Sequence, residues 1–386
     1  MGMDASTRRI LVLLALANFM GSLGWGIYYS VSRPYYSDVL GATYTMIMII
    51  ASSEWGPGLT STLWGYLGDR YGRNRVLPFG ALAYALSLVP LVPLQLVPLV
   101  VAVASLGWAI AWPSILAMVS LLSSEEHVGK SYGYFAIGGS LGWATSGVLV
   151  GLLKPILGFK LVLVLTGILA GTAYIIAFMI SRIRGGAGFE SVNVFRELRG
   201  PLLVVAVIQV ILTLGFDFAY NLFLVHFYSD IGSDILVYGL VVTSLPAFIG
   251  ALLRPIAGSI VDRMGGIRTI ALVILLYSLD FLGLSSARGI YSVILWIIPI
   301  YVFYDTGMIK LASEVSGREK RGTAMGVVNT GMSLAGALTF TLGPLADKLG
   351  YTYSMIVASI IVASAIIPLV ILKHVYYSRL KQYTTV

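Results

Sequence analysis

The chain has 386 residues, of which 58% are hydrophobic and only 11% charged, with a formal net charge of +8 and a mean hydropathy of +0.90. A soluble domain carries about a quarter charged residues, so a string of soluble domains is excluded. There is no cysteine, which removes disulfides, thiolate nucleophiles and cysteine metal clusters from consideration.

A bilayer core of ~30 Å takes about 20 apolar residues per helix. Runs of that kind fall at 10–30, 43–66, 76–93, 98–122, 132–153, 160–181, 201–225, 236–260, 269–286, 291–311, 323–344 and 352–372. They are too long, and too uniform, for the alternating strands of a membrane barrel. The predicted fold class is an all-α integral membrane protein of twelve transmembrane helices. Arg8 and Arg9 precede the first run as they would in a signal peptide. No clear small-residue cleavage site follows, so the run is read as a span.

With the N-terminus placed in the cytoplasm, most of the 25 Lys and Arg residues fall on cytoplasmic segments, while Arg33, Lys154, Lys160, Arg288 and Lys348 fall on the other side. That asymmetry predicts cytoplasmic N- and C-termini in a multi-pass protein of the cell membrane. The positive balance is thus a topology signal that favours contact with the lipid bilayer. It does not call for a nucleic-acid partner.

The chain also repeats itself. In "GYLGDRYGRNR" (65–75) and "GSIVDRMGGIR" (258–268), Gly65, Asp69, Arg70 and Gly72 match Gly258, Asp262, Arg263 and Gly265, each pair 193 residues apart, half of 386. "EHVGKSYG" (126–133) and "EKRGTAMG" (319–326) keep the same offset at Glu126 and Glu319, and Gly151/Gly343 and Gly158/Gly350 follow at 192. Two homologous six-span halves are expected, 1–181 and 200–386, joined by a cytoplasmic linker at 182–199. Parallel repeats of this kind are a transporter plan with the site at the repeat interface. The linker's "SVNVFRELR" is weakly amphipathic and reads equally as a surface helix or a polar loop.

The residues Gly65, Leu67, Asp69, Arg70, Gly72, Arg73 and Arg75 resemble the loop between spans two and three of the major facilitator superfamily, with Asn74 where a second basic residue is usual. The second-half copy has Ile260 for the leucine and Gly266–Ile267 for the basic pair. With twelve spans and the repeat, the resemblance covers the whole chain. It implies two six-helix bundles in which spans 1, 4, 7 and 10 line a cavity. It also implies a cytoplasmic gate built on Gly65, Asp69, Arg70, Gly72 and Arg73, with Asp262, Arg263, Glu126, Glu319 and Arg321 as weaker or accessory members. Physically, glycines let helix ends approach, and an aspartate can pair with arginines or with a helix N-terminus.

Six ionisable residues lie inside predicted spans: Glu54, Asp217, Arg254, Asp280, Asp305 and Lys310. Each costs about 2.5–3.5 kcal/mol at a span centre, so each is a functional candidate or half of an ion pair. Glu54 and Asp217 are candidate proton-carrying or cation-binding acids, and Gly56, Pro57 and Gly58 predict a bend just after Glu54. Arg254 and Asp305 fall at similar depth and are expected to pair. Lys310 joins them as a candidate in span 10, and Asp280 is expected to be structural. Trp25, Tyr28, Trp112, Tyr220 and Tyr304 offer rings with polar handles that suit an organic solute, cations included.

Span 4, "SLGWAIAWPSILAMVS", lacks the arginine often found in the family's proton-driven exporters, and span 5 has no Gly-Pro motif, although Gly343–Pro344 occurs in span 11. No phosphate loop is present, and His127, His226 and His374 are scattered, so neither a cofactor, a metal site nor an enzyme is expected. The reading is a secondary transporter of a small organic solute, exporter-like, working as a monomer by alternating access, coupled to protons and suited to efflux by antiport. The alternatives are an uncoupled facilitator and a non-transporting receptor on a transporter fold.

Overall fold

The computed structural model describes residues 5–121, 128–182, 200–316 and 321–383. Among these residues it is built from helix with no strand. The helices of the described residues follow the predicted runs, and nine of them are long and apolar enough to cross a membrane. The first six are α1 (Ala5–Pro34), α2 (44–71), α3 (Arg73–Leu91), α4 (Val97–Leu121), α5 (128–157) and α6 (159–181). The second six are α7 (Pro201–Asp230), α8 (Ile235–Met264), α9 (Gly266–Leu284), α10 (Ile290–Ser316), α11 (321–349) and α12 (351–383).

The breaks between consecutive helices repeat with the sequence. Gly72 (φ 99°), Gly158 (φ 70°), Gly265 (φ 78°) and Gly350 (φ 68°) end α2, α5, α8 and α11. Their ψ values of 128°, 171°, 162° and −178° put all four in a region open essentially to glycine alone. This is why the glycine pairs offset by 193 and 192 residues survive in register: a side chain there would strain the chain reversal. Inside α2 the predicted bend is a tighter 3-10 turn over Gly56–Thr60, where Pro57 withholds a backbone donor.

The chain forms two compact units. The first comprises Met1–Ala42, Ser53–Ser191 and Ile231–Phe248, and the second comprises Thr43–Ser52, Val192–Asp230 and Ile249–Val386. They follow the two sequence halves except for two exchanged segments, each explained by packing. In unit 1 the start of α8 lies on α5, where a Cβ on Gly151 would meet Leu236, and Val148 N donates to Ser244 Oγ at 3.2 Å. In unit 2 the start of α2 lies on α11, where a Cβ on Gly343 would come within 2.6 Å of Thr45 Cα.

Within unit 1, α1 runs against α5. A Cβ on Gly142 would come to 2.5 Å from the Phe19 carbonyl oxygen, so only glycine permits this approach. Asn18 Nδ2 ties the same seam by donating to the Phe135 carbonyl at 2.9 Å. Small residues and side-chain hydrogen bonds are what hold helices together where lipid removes the hydrophobic drive between them.

Candidate functional site

Unit 1 contains a cavity of about 260 Å³ between α1, α2, α4, α5 and α6. Five indoles line it: Trp25, Trp55, Trp108, Trp112 and Trp143. The whole chain has seven tryptophans, so the wall collects most of them. Trp108 and Trp112, one turn apart on α4, have ring planes 24° apart and centroids 6.2 Å apart. Trp112 continues to Phe135 at 5.8 Å, and Tyr29 meets Trp143 at 5.6 Å. The i, i+4 spacing of the α4 tryptophans puts both on one face. The helix carries them past the interior Pro113.

Glu54 lines the cavity from α2, but its carboxylate is already committed. Arg33, at the end of α1, donates Nη1 to Oε1 at 2.6 Å and Nη2 to Oε2 at 2.8 Å. Tyr28 Oη donates to Oε1 at 2.7 Å. The side chains of Arg33 and Glu54 are 1% and 2% exposed. Arg33 also packs its guanidinium 5.1 Å from the Tyr29 ring centre. A bidentate, fully shielded pair of this kind satisfies both partners. The cavity wall therefore carries no net charge from this pair. A cation entering it would gain about 2 kcal/mol or more from desolvated aromatic rings, set against a desolvation cost of several kcal/mol per unpaired ion.

The polar atoms left at the wall are few. Trp25 Nε1 and Ser105 Oγ are buried without a hydrogen-bond partner. The Trp25 N–H lies beside the Tyr174 hydroxyl, which is the acceptor nearest to hand for it. Ser22 Oγ reaches Asn18 Oδ1 at a long 3.4 Å.

The remaining sequence candidates distribute as follows. Trp25, Trp112 and Glu54 come together at the cavity. Tyr28 does not line it. It is 0% exposed and sits behind Glu54, within 3.1 Å of the Tyr36 hydroxyl. In unit 2, Asp217 on α7 accepts from Thr339 Oγ1 at 2.7 Å. Tyr304 Oη lies 2.8 Å from Thr213 Oγ1 and takes a hydrogen bond from Gln209 Nε2. Tyr220 stacks on Phe216 and tilts against Trp296. Arg254 and Asp305 face each other at 3.7 Å, with side chains 58% and 42% exposed. Lys310 pairs with Asp262 at 2.9 Å, joining a cavity candidate to a gate candidate. Asp280 is buried in α9, with Oδ1 lacking a hydrogen-bond partner among the described residues.

Of the gate residues, Gly65 approaches Pro113, and Gly72 takes the positive φ described above. Arg70 Nη1 donates to Tyr66 Oη at 3.0 Å. Arg73 is buried and Arg263 exposed. Glu126, Glu319 and the side chains of Asp69 and Arg321 lie outside the described residues, as does nearly all of the linker.

Sequence reasoning missed Arg33, placed at the outer end of α1 as a topology charge, and it missed Trp55 and Trp143. The signal for Arg33 was its position before Pro34 and two tyrosines, with Asp38 the only other charged residue between Arg9 and Glu54. Three further carboxylates went unread because they cap helix starts across long sequence separations. Glu314 accepts from Gly266 N at 3.1 Å, Asp230 from Gly289 N at 2.6 Å, and Asp347 from Tyr44 N at 2.7 Å.

A model of the Major Facilitator Superfamily matches residues 14–340. The chain belongs to that family: it is a multi-pass membrane transporter and not an enzyme. No curated protein sequence matches it. Its fold is similar to a bacterial homolog of the human lysosomal transporter Spinster, solved inward-facing and unoccupied, at 11% identity and TM-score 0.73, covering 98% of this chain and 99% of that one. It is also similar to a POT family transporter in complex with 5-aminolevulinic acid, at 14% identity and TM-score 0.78, covering 95% and 96%. A third similar structure is the nucleoside transporter NupG, at 12% identity and TM-score 0.76, covering 95% and 99%.

Proposed function

We propose that this transporter moves a small organic solute across the membrane by alternating access and that the solute binds in the unit 1 cavity. The observation that carries the reading is the cavity itself: a compact space within the transmembrane helices, walled by indoles, with Asn18, Ser22 and Ser105 among its lining. Ligand sites are mostly apolar with a few placed polar groups, and this one has that composition. The solutes named for the similar structures, peptides and nucleosides among them, are of the same small organic kind.

We further propose coupling to protons, with Asp217 as the carrying acid in preference to Glu54. Both Glu54 oxygens are held by Arg33, whereas Asp217 is engaged by the Thr339 hydroxyl, a partner that can accompany either protonation state. Outward movement by antiport is the proposed direction, with Gly343–Pro344 in span 11 as its sequence support; the span-4 arginine and span-5 Gly-Pro motif of such exporters are absent. The test uses proteoliposomes with an imposed pH gradient. Asp217→Asn is expected to abolish gradient-driven accumulation while solute exchange continues. Gradient-driven accumulation that persists in Asp217→Asn removes Asp217 as the carrying acid, and transport by the parent protein that ignores the gradient removes the coupling and selects an uncoupled facilitator. Saturable binding without flux selects a receptor.

A further inference from the structure

We propose that Asp280 on α9 is a proton-binding site of the transmembrane region, separate from Asp217 and loaded at neutral pH. This deepens the coupling reading above. It rests on that reading for the use of the proton in transport, but not for its binding.

The first observation is position. Ile270, Val273, Tyr277, Asp280 and Leu284 recur at three- and four-residue spacing along the buried stripe of α9. Leu275, Leu279 and Leu282 form its exposed apolar strip. Asp280 is therefore turned inward, in a row whose other members here are apolar or aromatic.

The second observation is the company it keeps. Asp280 Oδ1 is shielded and has no hydrogen-bond partner among the described residues, and no charged side chain among them acts on it. The titratable groups that feel Asp280 are two tyrosines, Tyr277 on α9 and Tyr351 on α12. Tyr351 donates its hydroxyl to the Leu284 carbonyl at 3.1 Å, and Tyr277 Oη is buried without a partner. The charges of the flanking elements stop at those rings: Asp305 on α10 acts on Tyr277, while Asp230 on α7 and Arg288 act on Tyr351. Arg288 donates Nη1 to the Ala287 carbonyl at 2.7 Å, and Arg254 faces Asp305. A carboxyl that is buried with neither a cation nor a donor takes up a proton instead of staying ionised.

The third observation is access. Asp280 lies four residues before Leu284, the last residue of α9, about 6 Å along the helix. At 9% exposure it is shielded without being sealed, so a proton has a short route to the α9–α10 turn. Packing of the stripe does not call for an acid. What the carboxyl adds is a proton that can be bound and released.

The experiment is infrared spectroscopy of the full chain in phosphatidylcholine bilayers, comparing the parent with Asp280→Asn. At neutral pH the parent is expected to show a protonated-carboxyl C=O band that shifts in deuterium oxide and is missing from Asp280→Asn. That band should bleach reversibly by about pH 9, the upper end for buried carboxyls. A neutral-pH spectrum with no band that Asp280→Asn removes overturns the proposal. So does a band that persists unchanged through about pH 9, since a group that never releases its proton is not a proton-binding site.

If Asp280→Asn fails to fold by circular dichroism and size exclusion, Asp280→Glu takes its place. The added methylene is expected to move the band to a new frequency; a band left where it was belongs to another acid and overturns the proposal. Proteoliposome transport separates the two readings. A band removed by Asp280→Asn leaves this proposal standing even where transport ignores an imposed pH gradient. Gradient-driven accumulation by a parent that lacks such a band defeats this proposal and leaves the coupling intact.

Discussion

Removing Arg33 should cost far more stability than removing Arg33 and Glu54 together. The two side chains are 1% and 2% exposed, joined at 2.6 and 2.8 Å, with Tyr28 donating to the same carboxylate at 2.7 Å. Arg33→Met deletes the cation but keeps the stem volume, and it strands a buried carboxylate with one hydroxyl donor. Breaking a buried pair from one side costs about 3–5 kcal/mol, because the abandoned charge stays desolvated. Replacing both members by apolar groups of similar size is often close to neutral. Unit 1 is about the size of a large single domain, for which each kcal/mol moves the midpoint by roughly 2–4 °C. The expected loss for Arg33→Met is therefore about 10 °C in apparent Tm. The double variant Arg33→Met/Glu54→Leu should recover most of it.

The assay is thermal unfolding of the purified protein in detergent at one scan rate, since unfolding of such proteins is commonly irreversible. The coupling is read as the difference between the double variant and the sum of the singles, Glu54→Leu included. Single variants that each shift Tm by less than about 2 °C, or a double variant no better than Arg33→Met, would refute the argument that the pair is a closed, mutually dependent unit.

Two other perturbations follow from backbone geometry and capping. Gly158→Ala and Gly350→Ala place a Cβ at φ 70° and 68° with extended ψ. Each should destabilise by about 1–3 kcal/mol, visible as a lower Tm and reduced yield. Equal Tm values for these and the parent would show that the breaks tolerate a side chain. Asp347 Oδ1 and Oδ2 accept from Tyr44 N and Thr45 N at 2.7 and 3.2 Å, and Thr45 Oγ1 adds a third contact. Asp347→Ala should cost about 1 kcal/mol through the lost cap and the lost charge at the α2 N-terminus, whereas Lys348→Ala, for which the same argument provides no partner, should be near neutral. Hydrogen exchange at Tyr44 and Thr45 amides should rise in Asp347→Ala, and unchanged protection there would count against the cap.

Much of this molecule can be read along one dimension. The apolar runs located the helices of the described residues, because a bilayer requires a minimum length of unbroken apolar helix whatever the neighbours do. Gly56–Pro57–Gly58 announced the irregular turn in α2 for an equally local reason: proline has no N–H to donate. The half-length repeat flagged Gly72, Gly158, Gly265 and Gly350, and each sits where the backbone takes a conformation that other residues resist. These features depend on a residue and its chain neighbours. The partners of charges do not. Arg33 read as an outer-face topology charge, yet it meets Glu54 across the α1–α2 turn. Asp347 and Tyr44 meet across 303 residues. The tryptophans at 25, 55, 108, 112 and 143 lie on four different helices, so no spacing rule groups them. Which face of each helix turns inward is set by side-chain packing between helices, where glycines such as Gly142 fix the approach, and that packing alone decided that an aromatic wall, with Glu54 on it, forms the cavity.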